Sequence, residues 1–153
     1  MTAIPFRRLA GIAMMLSAIA FHAAAQEGPQ PRLQTIDLTA GMHVIKTELA
    51  LTTQQQMIGM MWRTEMANHE GMLFVYDQPD KRCFWMRNTL LPLSVAFIAD
   101  DGSIVNVADM TPRSDESHCS DKPVRYALEM NLGWFAKRGL KAGSKLRGGP
   151  FGK

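Results

Sequence analysis

Leu93-Ser94-Val95-Ala96-Phe97-Ile98-Ala99, then Asp100-Asp101-Gly102, then Ser103-Ile104-Val105-Asn106-Val107-Ala108, is the stretch on which the fold class turns. Two apolar runs rich in β-branched residues flank a three-residue connection, and its glycine takes positive φ at no steric cost, so the segment reads as a β-hairpin. From residue 71 onward other turn signals separate further short apolar runs. Strands spaced in this way build a sandwich or barrel, whereas βαβ units need long helical patterns between the strands. The expected class is mainly β: a compact antiparallel β sandwich or barrel with one or two short helices.

Upstream of that hairpin, Gly71 to Tyr76 is apolar on both faces, Asp77-Gln78-Pro79-Asp80 carries turn chemistry, and Arg82 to Met86 returns as a strand. These predict a second hairpin. Residues 43–50 read as a strand, and Thr52-Thr53 with Gln55 and Gln56 reads as a capped helix start, followed by a short apolar face of Met57, Ile58, Met60 and Met61. Downstream, Val124, Tyr126, Leu128 and Met130 alternate with Arg125, Ala127 and Glu129. Period-two alternation predicts a half-exposed strand with Glu129 facing outward. Asn131 opens a short helix through Arg138, and Gly139 with Leu140 supplies a left-handed stop.

The N-terminus has the three parts of an export signal in order: Arg7 and Arg8, an apolar run from Leu9 to Phe21, and Ala23-Ala24-Ala25 before a cleavage point. The run is too short to span a bilayer, which takes about 20 residues of helix. Residues 1–25 are thus expected to be a cleavable signal peptide, 26–33 a flexible lead, 34–147 a single β-rich domain and 148–153 a loose tail. The expected location is periplasmic or secreted, with no transmembrane segment after signal cleavage. Two of the 17 basic residues and none of the 14 acidic ones leave with residues 1–25, so 15 basic face 14 acidic side chains in the mature chain. That near-neutral balance argues against nucleic acid, whose phosphates call for a basic face.

Cys83 and Cys119 are the only cysteines. In an oxidising compartment they permit a disulfide, which would contribute about 4 kcal/mol through its loop in the chain-entropy account; a buried thiol and an exposed one is the alternative. A catalytic Cys-x-x-Cys is absent.

The order Ile58-Gly59-Met60-Met61-Trp62-Arg63, Glu70-Gly71-Met72-Leu73-Phe74-Val75, Phe84-Trp85-Met86-Arg87-Asn88-Thr89, Leu91-Pro92-Leu93, Tyr126-Ala127-Leu128-Glu129 and Gly133-Trp134 resembles the domain of unknown function 192 family over about residues 40–147. The resemblance implies a compact, mainly antiparallel β domain with short helices, often behind an export signal, and implies no reaction. Two positions depart from the family pattern, Ser94 and Ser144, where the family usually carries an acidic residue.

Candidate ligand-binding residues are Arg63, Trp85, Arg87, Asn88, Thr89 and Glu129. An aromatic face, a guanidinium fork and an amide close together suit a sugar or a carboxylate-bearing ligand. Against this, and favoured over it, Trp85 would serve as core, with Asn88 and Thr89 tying down a turn. Glu129 beside Arg63, Arg87 and Arg125 reads as an ion-pair partner before it reads as a general base, and no second carboxylate stands at acid/base spacing. Met57, Met60, Met61 and Met66, with His43, His69 and His118 elsewhere, raise Cu(I) binding, although methionine at helical spacing usually fills cores. No His or Cys pair has zinc spacing, and nucleophile-elbow, Walker and Rossmann patterns are absent, so no metal or cofactor is expected.

The leading functional expectation is non-catalytic binding of a small envelope ligand or an envelope protein partner. An enzyme acting on cell-envelope material and a periplasmic copper-handling protein are the alternatives.

Overall fold

The computed structural model describes residues 28–152; the signal-peptide reading of residues 1–25 lies outside them. Strands β1 (Thr35–Ala40), β2 (His43–Ala50), β3 (Glu70–Asp80), β5 (Leu93–Ile98), β6 (Ile104–Met110), β8 (Val124–Asn131) and β9 (Leu146–Arg147) form one seven-stranded sheet curled into a half-barrel, in the order β6-β5-β8-β3-β2-β1-β9. A separate two-stranded ribbon pairs β4 (Cys83–Phe84) with β7 (His118–Cys119). Among the described residues helix is confined to α1 (Thr53–Ile58) and two 3-10 turns, Ala136–Arg138 and Gly149–Phe151. The mainly β class with short helices is observed.

The hairpin around Asp100-Asp101-Gly102 forms as expected, with β5 and β6 antiparallel. The α1 start is a reciprocal cap, since the Thr52 hydroxyl accepts from the Gln55 amide and the Gln55 side chain accepts from the Thr52 amide. Gly139 takes the left-handed conformation that ends Ala136–Arg138.

The expected hairpin of residues 71–76 with 82–86 does not form. Strand β3 continues through Asp80, pairs in parallel with β2 and antiparallel with β8, and leaves Cys83–Phe84 to the ribbon. The parallel β2–β3 pair follows from the connection 51–69, which is long enough for the crossover that parallel neighbours require.

Both faces of the sheet are covered. Leu38, Ile45, Leu73, Ile98, Tyr126, Leu128, Met130 and Phe135 pack on one face, and Met60, Met72, Phe74, Phe84, Met86, Val95, Phe97 and Ala127 on the other. Every residue of β5 is buried, and β8 is buried from Tyr126 to Met130. The half-exposed strand expected at 124–130 is therefore corrected: β8 lies inside the sheet between β3 and β5, so its polar positions are buried with the apolar ones.

Residues near both ends of the described segment also make defined contacts. In the expected flexible lead, Gln30 is buried and donates to the Gly59 carbonyl, and the Leu33 amide donates to Glu48. In the expected loose tail, Phe151 packs edge-on against Tyr126.

Gly71 shows how tightly β3 and β8 pack. A Cβ there would meet the Met130 sulfur and lie 2.7 Å from the Glu129 carbonyl oxygen. Backbone cannot give way as a side-chain tip can, so Gly71→Ala is expected to lower stability by about 2 kcal/mol, read as a fall in the urea midpoint at unchanged slope.

Candidate functional site

Glu129 organises the second face of the sheet. Its lateral neighbours are Met72 on β3 and Val95 on β5, both fully buried, and Glu129 itself is 4% exposed. Its Oε2 has no hydrogen-bond partner. Burial drives the carboxyl up to about 8, with the positive charge of Arg63 working in the opposite direction. At neutral pH the group is protonated and able to donate a hydrogen bond.

Above Glu129 opens a cleft of about 360 Å³, walled by Met57, Met60, Met61, Phe74, Phe84 and Trp85, with Gln56, Tyr76 and Thr89 supplying polar atoms. Pockets of this size hold small molecules. The Tyr76 hydroxyl is also held protonated, its pKa pushed up to about 12 chiefly by burial. A larger cleft of about 530 Å³ adjoins it and shares Gln56, Met57 and Tyr76. The cation there, Arg82, is stacked 3.9 Å from the Tyr76 ring centre and donates to the Gln78 carbonyl.

Arg63 stands behind the cleft. Trp62 takes the left-handed conformation at φ 65°, with its amide held by the Asn88 carbonyl, and the next residue turns into the protein. There the Arg63 guanidinium grips Glu48 of β2 with both terminal nitrogens, at 2.5 and 2.8 Å. Burial works against the Glu48 charge, but bonds from Arg63, the Leu33 amide and Arg32 outweigh it and hold the carboxyl at about 2. Arg63 is thereby committed to Glu48, and Glu129 is left without a direct partner.

Trp85, Thr89 and Glu129, three of the residues singled out in the sequence, line the same cleft. Trp85 is not core: it stands 45% exposed at the rim, with the Arg87 guanidinium 4.1 Å from its ring centre. Arg87 faces solvent and pairs with Asp115 at 2.8 Å. Asn88 contacts the Met61 sulfur through its amide. Arg125 is not part of this group, because it pairs with Asp100 at the far end of β8. The expectation of an outward Glu129 in a surface ion pair is corrected, since no cation reaches it and the sheet face over it is covered.

Cys83 and Cys119 face each other across the ribbon and are joined as a disulfide, which fixes the strand carrying Phe84 and leading into Trp85. The two departures from the family pattern lie away from the cleft. The Ser94 hydroxyl bonds Asp109 and accepts from the Gly133 amide, and the Ser144 hydroxyl accepts from the Lys141 amide.

Sequence reasoning missed Glu48 and Tyr76. Neither carried a signal of its own, since nothing adjacent in sequence marks a strand glutamate or tyrosine as buried. Met57, Met60 and Met61 do share the cleft, while His43 packs on Trp134 and His118 lies on β7. Among the described residues no group of three or more His, Cys, Asp and Glu side chains is placed to hold a metal, and no helix is long and apolar enough to cross a membrane.

The family model DUF192, described as an uncharacterized ACR, matches residues 35–148. A protein of unknown function from Novosphingobium aromaticivorans DSM 12444 has a similar crystal structure, with TM-score 0.72 and 37% identity, covering 80% of this chain and 93% of that one. A protein from Sinorhizobium meliloti 1021, put forward as a transcription regulator, is similar at TM-score 0.68 and 36% identity, covering 72% of this chain and 88% of that one. No curated protein matches the chain.

Proposed function

The chain belongs to the DUF192 family, and from that premise we propose that it is an exported binding domain whose cleft takes a small ligand between its methionine and aromatic walls and the Glu129 carboxyl. The observation that carries this is a buried carboxyl without a partner on the floor of an otherwise largely apolar cleft. Burying such a group costs stability, and a carboxyl perturbed by desolvation inside a cleft is the kind of group functional sites are built on.

Binding is favoured over hydrolysis by the lining itself. Glu129 and Tyr76 are its only titratable side chains apart from the disulfide-bonded Cys83, so a second carboxylate for acid/base work is lacking there. Export to the periplasm or beyond is supported by Arg7-Arg8, the apolar run and Ala23-Ala24-Ala25, and by the Cys83–Cys119 bond, which suits an oxidising compartment. The regulator description of the Sinorhizobium protein is not carried over, because the near-neutral mature chain argues against a nucleic-acid partner.

A thermal-shift panel of cell-wall sugars, peptides, amides, amines, carboxylates and Cu(I) tests the reading. One organic class at about 100 times its Kd is expected to stabilise the chain by about 2.7 kcal/mol, and Trp85→Ala or Glu129→Ala to remove the shift. A shift from Cu(I) alone would favour the copper reading, which the shared position of Met57, Met60 and Met61 supports. Turnover of an envelope substrate that disappears in Glu129→Ala would replace binding with catalysis.

A further inference from the structure

The walls of the cleft narrow the chemistry of its occupant. Apart from Glu129 no lining side chain can carry charge near neutral pH, so a carboxylate or phosphate entering would find no cation in the walls to replace its water. Arg63, whose charge acts on Glu129, is held in a two-bond pair with both oxygens of Glu48. Arg82 and Arg87 are stacked on Tyr76 and Trp85 and hold the Gln78 carbonyl and Asp115. A cation would have to strip the proton from Glu129 against the desolvation that keeps it there. A neutral acceptor needs no such change: it takes one hydrogen bond from the carboxyl and buries its remaining surface against thioethers and aromatic rings.

Resting on the ligand-cleft reading above, we propose that the occupant is an uncharged molecule with an apolar body and a carbonyl acceptor, an amide or an ester, that accepts a hydrogen bond from the Glu129 carboxyl. The apolar body lies along Met57, Met60, Met61 and Phe84, and Trp85 covers it at the rim. Binding then depends on pH through Glu129. The titratable and charged groups facing it are few: Tyr76 from β3, protonated across the working range, and Arg63 from the segment after α1, with its Glu48 from β2. Strand β5 has no titratable side chain, Cys83 of β4 is in the disulfide, and Arg125 of β8 itself is held by Asp100.

The test uses three probes with one alkyl chain, hexanamide, hexanoate and hexylammonium, titrated into the full chain with methionine methyl groups labelled for NMR. Hexanamide is expected to move the Met57, Met60 and Met61 signals and to bind at least roughly tenfold more tightly than either ion at mildly acidic pH. Its affinity is expected to fall as pH rises through about 8, where Glu129 ionises. Glu129→Gln, which keeps a donor but cannot titrate, should bind hexanamide with no such fall.

Hexylammonium binding most tightly and strengthening with pH would overturn the proposal and leave a cleft for cations. Hexanoate binding most tightly, in wild type and Glu129→Gln alike, would overturn it by moving the polar anchor off Glu129. If no probe moves those methyl signals, the ligand-cleft reading itself fails.

Discussion

Arg63→Met is expected to destabilise the protein by about 4 kcal/mol, measured as a lower urea midpoint at neutral pH. The cost comes less from the lost bonds than from what they leave behind. Glu48 is 4% exposed, and without Arg63 it keeps only the Leu33 amide and Arg32, whose side chain lies mostly in solvent. An uncompensated buried carboxylate is among the few defects that cost several kcal/mol at one position. Pairing Arg63→Met with Glu48→Leu should recover much of the loss, because two apolar side chains leave no orphaned charge. Equal losses in the single and double variants would mean that packing, not charge, sets the cost. The pair also has a pH signature. The Glu48 carboxyl is depressed to about 2 in the fold, so its stabilising share is complete above its unfolded value, about 4.5, and drains away as pH falls from there towards 2. Arg63 is also the charge that draws Glu129 downward, so Arg63→Met should raise the Glu129 titration above about 8.

Local chemistry was legible wherever a few adjacent residues decide the conformation. Asp100-Asp101-Gly102 closes a hairpin, Thr52 and Gln55 cap a helix, and Gly139 stops a turn, because each device is complete within a few residues. The failed hairpin of 71–76 with 82–86 shows where that reasoning ends. Nearness in sequence favours pairing neighbours, but β3 gains more from β2 and β8, which hydrogen-bond both its edges inside the sheet, and those partners lie far along the chain. Contacts near the ends of the described segment were illegible for a related reason: Gln30 donates to the Gly59 carbonyl and Phe151 packs on Tyr126, and composition announces neither.

The site was half legible. Trp85, Thr89 and Glu129 were singled out and share one cleft, yet Glu129 was placed on the wrong side of the solvent boundary. Alternation says which residues share a face of a strand, not whether that face is covered. What covers it is the segment Met60–Arg63 and the ribbon carrying Phe84, and neither can be placed without the tertiary fold. Glu48 went unseen because a glutamate in a short strand looks the same whether it meets water or a buried arginine.

Glu129→Gln is expected to make the protein more stable at neutral pH, the reverse of what removal of a structural carboxylate would do. In the unfolded chain this carboxyl ionises near its ordinary value, about 4.5; in the fold it holds its proton up to about 8. Between those values the unfolded state has released a proton that the native state still binds, so wild-type stability falls as pH rises, by about 1.4 kcal/mol per unit. At pH 7 the accumulated penalty is about 3 kcal/mol, and above the folded value it levels off. Glutamine has nearly the same shape and no such titration, so the variant should match wild type in mild acid and pull ahead of it steadily towards neutral pH in urea unfolding. A constant difference at every pH would mean that Glu129 is solvated in the native state and that the cleft floor is open to water. The expected result bears directly on function. A side chain that an isosteric amide would outperform in stability is one whose presence the fold alone does not explain, and a ligand that accepts its proton supplies the missing reason.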